Sequence, residues 1–244
     1  MQYKIYTQLN MVEQVYQSND SDNDNYPDEY DSTCQIDCSK SDLESLEDIQ
    51  CDNFMCIKKL NCSNNKLTSL DGIYRFINLE VLECRDNEIT SLAGIEYCTK
   101  LILLNCSSNK ITSLQELSDC TNLVRIECNS NQLKSLDGLE FCTKINDVGC
   151  VENNISSIDA LSNCTDLLSF ECSGNQITSL EALRNCNKLY GLWIHRNLVS
   201  SIEPIMHIQS LDDFEFNNNP VATDPVAIAY LNKIQASWNY QLSV

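Results

Sequence analysis

The sequence predicts an α/β solenoid, in which short parallel strands stack into one concave sheet and short 3₁₀ or helical turns form the convex side. Three observations predict this fold: an asparagine recurs every 22 residues, apolar residues recur at fixed positions between the asparagines, and cysteines fill two further positions. A period in this range is typical of stacked repeats, each of which buries its apolar face against its neighbours. The recurring asparagines are Asn65, Asn87, Asn109, Asn131, Asn153, Asn175, Asn197 and Asn219.

One repeat unit shows how the pattern predicts each element. The unit that starts at Leu79 reads LEVLECRDNEITSLAGIEYCTK, and its apolar residues stand at positions 1, 4, 11, 14 and 17. Positions 3–5 are predicted to form a strand, with position 4 facing the core and positions 3 and 5 facing outward, because strand side chains alternate. The asparagine after the strand is expected to bond the backbone of adjacent turns, which satisfies buried polar groups.

The pattern LxxLxCxxNxLxSLxxLxxCxx resembles a leucine-rich repeat. It is similar to the 22-residue subclass shared by the nuclear regulatory subunit of protein phosphatase 1 and by bacterial internalins. The resemblance covers about residues 57–219 and, more weakly, residues 34–56, where Ser41 replaces the asparagine of the pattern. It implies a horseshoe with a parallel concave sheet, short convex turns and helical caps.

The chain is predicted to have three parts. Residues 1–33 are expected to form an N-terminal cap made of an amphipathic helix over 3–17 and an acidic loop. Residues 34–219 carry about nine leucine-rich repeats, the first of them atypical, and residues 220–244 form a C-terminal helical cap. Caps are needed because the terminal repeats would otherwise expose their apolar faces.

The C-terminal cap is predicted from its start signals. Pro220 stops the repeat, and Asp224 followed by Pro225 is typical of an N-cap and the first residue of a helix. The apolar face of this helix is expected to carry Val226, Ala229, Tyr230, Ile234 and Trp238.

Eleven of the 15 cysteines stand in two columns, at positions 6 and 20 of the unit. Ile194, Ile208 and Phe216 replace them in register in the last repeats, so we interpret both columns as small apolar core groups. Metal or redox chemistry is the alternative interpretation. The columns are Cys62, Cys84, Cys106, Cys128, Cys150 and Cys172 at position 6, and Cys98, Cys120, Cys142, Cys164 and Cys186 at position 20.

These thiols bear on disulfides and on localisation. Stacked side chains that point in one direction suit a disulfide badly, so a bridge is an alternative only for the four cysteines of the irregular first repeat. Free thiols and an N-terminus without a secretory signal predict a cytoplasmic protein, with secretion as an effector as the alternative. The four cysteines are Cys34, Cys38, Cys51 and Cys56.

The charge is strongly negative, with 35 acidic and 16 basic residues and a net charge of −19. Such a chain is expected to repel nucleic acid. No apolar run approaches the roughly 20 residues of a membrane span.

Part of this charge lies in a 12-residue loop whose spacing resembles the EF-hand calcium loop. Alternate side-chain oxygens and one backbone carbonyl could converge there on a calcium ion, which would order the N-terminal cap. Asn25 replaces the usual glycine and Asp31 the usual glutamate. A solvated acidic linker is the alternative. The proposed ligands are Asp20, Asp22, Asp24, Tyr26, Asp28 and Asp31.

The concave face is the expected partner site. Trp193 stands at an outward strand position, where packing does not need it, and tryptophan, tyrosine and arginine dominate binding hot spots. A glutamate stripe would steer a basic protein or peptide; cover by the C-terminal cap is the alternative for Trp193. Val81 and Leu103 are also expected to be exposed. The candidate partner-binding residues are Tyr190, Trp193, His195, Arg196, Glu83, Glu127, Glu171, Arg125, Asp213 and Glu215.

The sequence therefore predicts a monomeric, non-catalytic scaffold that binds a protein or peptide on its concave face. A calcium-dependent adhesin or secreted effector is the alternative that the internalin resemblance implies, and a phosphatase-regulator-like subunit is the alternative that the other resemblance implies. No catalytic constellation is found. The nearest pair, Cys172 and His195, is expected to point in different directions.

Overall fold

The structure is a computed structural model that describes residues 34–241, with side chains described up to residue 234. Nine three-residue strands form one parallel sheet in chain order, and each strand pairs in register with the next. The predicted N-terminal helix over 3–17 and the acidic loop over 20–31 lie outside the described residues. The strands are β1 (Gln35–Asp37), β2 (Lys59–Asn61), β3 (Val81–Glu83), β4 (Leu103–Asn105), β5 (Arg125–Glu127), β6 (Asp147–Gly149), β7 (Ser169–Glu171), β8 (Gly191–Trp193) and β9 (Asp213–Glu215).

Short 3₁₀ turns connect most strands on the opposite side, so the predicted solenoid with a parallel sheet and short convex turns is confirmed. The first repeat also stacks on the sheet, but with a longer offset. Gln35 pairs with Lys59, which is 24 residues later, whereas Lys59 pairs with Val81, which is 22 residues later. The 3₁₀ turns are Leu46–Asp48, Phe54–Cys56, Ile73–Arg75, Ile95–Tyr97, Gln115–Leu117, Asp159–Asn163, Glu181–Leu183, Glu203–Ile205 and Pro220–Thr223.

The asparagine ladder forms as predicted. Asn109 Oδ1 accepts a hydrogen bond from the Ile89 amide at 3.0 Å, and its Nδ2 donates to the carbonyls of Cys84 and Cys106, both at 3.0 Å. The same bonds recur along the ladder up to Asn219, whose Nδ2 donates to Ile194 and Phe216 carbonyls. Each asparagine therefore ties its own turn to the preceding repeat.

The ladder holds a strained backbone in place. The residue before each ladder asparagine has a left-handed conformation with φ between 54° and 69°. Only Gly174 among these residues is a glycine, and other residue types pay a steric cost in this region. The strained residues include Ser108 and Ser130 with short side chains, but also Glu152 and Arg196.

Both cysteine columns are fully buried, and all 15 cysteines are free thiols. Several of their S–H groups point at backbone carbonyls of adjacent repeats, as in Cys128 Sγ to Gly149 O at 3.3 Å and Cys186 Sγ to Cys164 O at 3.5 Å. Burial raises the pKa of the Cys142 thiol to about 12. The columns are thus core packing groups and not reactive thiols.

A single α-helix, α1 (Pro225–Gln241), follows the last repeat. Asp224 Oδ1 accepts from the Val226 amide at 3.0 Å, which is the predicted N-cap. The predicted apolar face is wrong in part, because Val226 and Ala229 are exposed. The helix instead turns a stripe with i, i+3, i+4, i+7 spacing to the core, and Ala227 in this stripe is fully buried. That stripe is Ala227, Tyr230, Leu231 and Ile234, and the Trp238 side chain lies outside the described ones.

Candidate binding surface

Outward-facing side chains of the nine strands form the concave face, and its two halves differ in charge. Strands β5–β9 carry five carboxylates and one arginine, a formal charge of −4. Strands β1–β4 carry two carboxylates and one lysine, a formal charge of −1. The carboxylates of β5–β9 are Glu127, Asp147, Glu171, Asp213 and Glu215.

The N-terminal half offers less surface than the sequence predicts. Val81 is only 2% exposed and Leu103 only 8%, so the prediction that both are exposed is wrong. Neighbouring strands lie about 4.8 Å apart, and side chains at that spacing shield one another from water. Glu83, a predicted partner-binding residue, is instead paired with Lys59 at 3.0 Å.

Arg125 and Glu127 form a closed cluster at the middle of the face. Arg125 Nη2 lies 3.0 Å from Glu127 Oε1, and its Nε lies 3.5 Å from Asp147 Oδ2. The second oxygen of Glu127 accepts from Asn129 Nδ2 at 2.9 Å. Its carboxylate occupies the space over Gly149, where a Cβ would lie 2.9 Å from Glu127 Cδ. Burial raises the pKa of Glu127, an effect that Arg125 only partly offsets. These predicted binding residues thus mainly contact one another.

Trp193 is held in a defined place at the other end of the face. A Cβ on Gly191 would lie 2.7 Å from Trp193 Cζ3, so the benzo ring of the indole sits over this glycine. The register places Glu171 on one side of Trp193 and Glu215 on the other. Each neighbouring strand is about 4.8 Å away. A half-buried aromatic ring therefore stands between two carboxylates.

The carboxylates around Trp193 differ from the Arg125 cluster in their partners. Within residues 34–234, no lysine or arginine nitrogen lies within 4 Å of Glu171, Asp213 or Glu215. The pKa of Glu171 is raised, first by desolvation and then by the charges of Asp147 and Glu215, while His195 lowers it. This end of the face therefore concentrates negative charge that the described chain does not neutralise with a strong base.

His195 is anchored from one ring nitrogen. Its Nδ1 lies 2.8 Å from Ser173 Oγ and 3.5 Å from Glu215 Oε2. Ser173 in turn donates to the Trp193 carbonyl at 3.2 Å and is 1% exposed. A catalytic relay needs the nucleophile and the acid on opposite ring nitrogens, and here both lie at Nδ1. Cys172 is fully buried and its thiol pKa is raised well above the usual value, so it does not pair with His195 as a nucleophile.

The predicted cluster of Tyr190, Trp193, His195 and Arg196 comes together only in part. Tyr190 is 49% exposed and lies just before β8. Arg196 points away, because its Nη1 lies 2.8 Å from Glu152 Oε1 two repeats earlier. The intervening repeat has Gly174 at that place, where a Cβ would lie 3.0 Å from Glu152 Cδ. Sequence reasoning missed Glu152, although the column Glu152, Gly174, Arg196 is visible at 22-residue spacing.

The C-terminal cap covers the end of the core and leaves this face to solvent as far as its side chains are described. Tyr230 of α1 packs against Phe214 with ring centroids 6.4 Å apart, and Phe214 is the inward-facing residue of β9. Trp193 stands at an outward position of β8, on the opposite side of the sheet. Cover by the described part of α1 therefore does not explain this tryptophan.

The described part of the chain shows neither a metal-ligand cluster nor a membrane-spanning helix. No group of three or more histidine, cysteine or acidic side chains there is arranged to hold a metal ion. In the same residues, no helix is long and apolar enough to cross a membrane.

Comparison with known proteins gives the class of this fold. The family model for leucine-rich repeats (two copies) matches residues 57–97 and 99–141. No curated protein sequence matches the chain significantly. The repeated strand and the asparagine ladder define a solenoid with an open concave face, and the repeats over 57–97 and 99–141 match leucine-rich repeats.

Solved structures with the same fold come from bacteria and plants. An internalin (inlF) of Listeria monocytogenes aligns over 67% of this chain and 48% of its own, at 21% identity and a TM-score of 0.66. The functional domain of InlJ from the same organism, which includes a cysteine ladder, aligns over 77% of this chain and 45% of its own, at 26% identity and a TM-score of 0.59. The plant peptide hormone receptor RGFR1 in complex with RGF2 aligns over 67% of this chain and 28% of its own, at 21% identity and a TM-score of 0.59. The chain thus spans about half the length of each of these two internalin structures and 28% of the receptor.

Proposed function

We propose that this protein is a non-catalytic scaffold that binds a protein or peptide on the concave face of strands β5–β9. The observation that carries the proposal is Trp193, an aromatic side chain that lies half-buried at an outward strand position and not in the core. An outward tryptophan does not help to keep a protein soluble, whereas tryptophan is enriched at the centres of interfaces. Similar folds support the proposal, since one of them is a peptide hormone receptor solved in complex.

The surface around Trp193 also has the layout of an interface centre. The fold supplies a rigid sheet, so binding costs little ordering of the scaffold. His195 and Ser173 brace one side of the tryptophan backbone, and Gly191 leaves room for its ring. Carboxylates surround the ring and would orient a partner of opposite charge.

The experiment compares two aromatic substitutions. The partner captured from the native cell is identified, and its affinity is measured for the wild-type protein, Trp193→Ala and the matched control Tyr97→Ala. Tyr97 is 58% exposed in a convex turn. Trp193→Ala should weaken binding by about 2 kcal/mol or more, the cost of removing a hot spot, while Tyr97→Ala should leave it unchanged. The reverse pattern would place the interface on the convex side and remove the proposal.

The calcium loop over 20–31 supports a second, structural proposal. Its ligand spacing favours one calcium ion near the N-terminus, which would order residues 1–33 as a cap and not act in catalysis. The adhesin, effector and phosphatase-regulator alternatives rest on resemblance only.

A further inference from the structure

We propose that the surface made of Trp193, Glu171, Asp213 and Glu215, here called the cation subsite, receives an arginine side chain of a bound peptide. The inference rests on the proposed function and adds to it the chemical class of the partner. It commits to one occupant, a peptide segment that carries an arginine, because ring, charge and geometry favour a guanidinium.

The charge of the subsite is the first argument. Five carboxylates face one arginine over β5–β9, and Arg125 is engaged with Glu127 and Asp147. The carboxylates that flank Trp193 have His195 as their nearest base in the described chain, 3.5 Å from Glu215. A cation from outside would therefore meet a surface of complementary charge.

The ring is the second argument. Tryptophan is the aromatic residue type that binds cations best. A guanidinium stacks on an indole face more readily than an ammonium does. The indole cannot sink into the sheet, since Gly191 lies directly beneath its benzo ring. It therefore forms a platform whose height above the strands is fixed.

The register is the third argument. Glu171 and Glu215 are the direct partners of Trp193 on β7 and β9, and Asp213 is the partner of Gly191. A guanidinium on the indole would thus have carboxylates within one strand spacing on either side, about 4.8 Å in the plane of the sheet. Arginine presents donors in a planar fork that matches a carboxylate, so stacking and ion pairing are compatible in one pose.

The arginine that is nearest in sequence does not fill this place. Arg196 is only three residues from Trp193, but it reaches back across Gly174 to Glu152 at 2.8 Å. The glycine in that repeat leaves room for the Arg196 side chain to cross. The ion pair with Glu152 therefore holds the guanidinium beyond the C-terminal ends of the strands. Among the described side chains, none fills the cation subsite with a lysine or arginine, so we assign it to a ligand.

The test uses the full chain and a displayed library of random 12-residue peptides. Selected peptides are resynthesised with arginine or with citrulline, which keeps the shape of arginine but has no charge. Their affinities are measured for the wild-type protein, for Glu171→Gln with Glu215→Gln, and for Glu83→Gln. Glu83 is the matched control, because it occupies the same column but is already paired with Lys59. Thermal unfolding confirms that each variant is folded.

The expected result is that selected peptides share an arginine and that citrulline weakens binding to the wild-type protein at least about tenfold. The double variant should show a similar loss and should no longer distinguish arginine from citrulline, while Glu83→Gln should stay within about twofold of wild type. Selected peptides without a basic residue, or with equal affinity for the double variant, would overturn the cation subsite but leave the binding scaffold. Failure to enrich any peptide would overturn both.

Discussion

The indole of Trp193 lies over Gly191, two residues earlier on the same strand, with no room for a Cβ between them. The two residues share one face of β8, because strand side chains alternate. The absence of a side chain at position 191 thus decides where the most prominent aromatic group of the concave face stands.

Gly191→Ala is predicted to displace this ring without removing any binding group. The new Cβ would lie 2.7 Å from Trp193 Cζ3, so the indole must tilt away from the sheet. Partner affinity should fall at least about tenfold if the ring is a hot spot, and Trp193 emission should shift to the red in a Trp238→Phe background. Ser169→Ala on the neighbouring strand is the control and should change neither. An unchanged affinity in Gly191→Ala would show that ring position does not matter.

Asn131→Ala is predicted to destabilise the solenoid strongly. The asparagine accepts from the Ile111 amide at 2.9 Å and donates to the carbonyls of Cys106 at 3.0 Å and Cys128 at 3.2 Å. Its loss leaves buried backbone groups without partners, and each such group costs about 1–3 kcal/mol.

Urea denaturation measures this effect as a lower free energy of unfolding. Asn122→Ala is the control, since both bonds of the Asn122 side chain are exposed: Nδ2 donates to the Thr99 carbonyl at 3.0 Å and Oδ1 accepts from Lys144 Nζ at 2.7 Å. A similar stability for the two variants would contradict a structural role for the ladder.

Alkaline pH is predicted to destabilise the protein through its buried thiols. Burial raises the pKa of Cys98, Cys120 and Cys142 to about 12 and that of Cys164 and Cys186 to about 11. A thiol in the unfolded chain titrates near 8.5. Between these values the unfolded chain releases protons that the folded chain retains, so rising pH favours unfolding. The stabilisation is fully present below about pH 8.5 and is lost progressively as the pH rises toward 11–12.

The free energy of unfolding, measured by urea denaturation at several values between pH 7 and pH 10, checks this expectation. Each thiol contributes a slope of up to about 1.4 kcal/mol per pH unit. The variant Cys142→Ala removes one such contribution, so its stability should fall less steeply with pH than that of the wild type. Identical slopes would mean that other groups cause the alkaline effect.

Calcium is predicted to bind the acidic loop at a ratio of one ion per chain. Titration calorimetry of the intact chain should show binding heat, and the variant with Asp20→Ala and Asp24→Ala should lose it, because two of the proposed ligands are gone. Asp137→Ala, in a convex turn, is the control and should bind as the wild type does. Absence of heat in the intact chain would identify the loop as an acidic linker.

Most of the fold could be predicted because its period is visible in one sequence. The 22-residue spacing placed the strands, the ladder asparagines and both cysteine columns, and alternation placed Trp193 on the outer face. Val81 and Leu103 were misplaced because alternation gives direction but not shielding by neighbouring strands. Val226 was misplaced because the phase of a short terminal helix depends on how closely it packs against the last repeat.

The candidate site was harder to predict, since it depends on contacts between repeats. The pair Arg196–Glu152 crosses 44 residues of sequence through the gap at Gly174. Sequence spacing shows that these residues share a column, but not which of them meet. Arg125 and Glu127 were expected to face a partner, whereas Arg125 binds Glu127 on its own strand and Asp147 on the next strand.

Hydroxyl-radical footprinting of the protein with and without its partner tests the central claim most directly. In the free protein, Trp193 and Tyr190 on the concave side and Tyr97 and Phe141 in the turns should all be oxidised, since none is fully buried. Bound partner should protect Trp193 strongly and leave Tyr97 and Phe141 at their free rates. Protection of Tyr97 and Phe141 with continued oxidation of Trp193 would contradict a binding surface on the concave face.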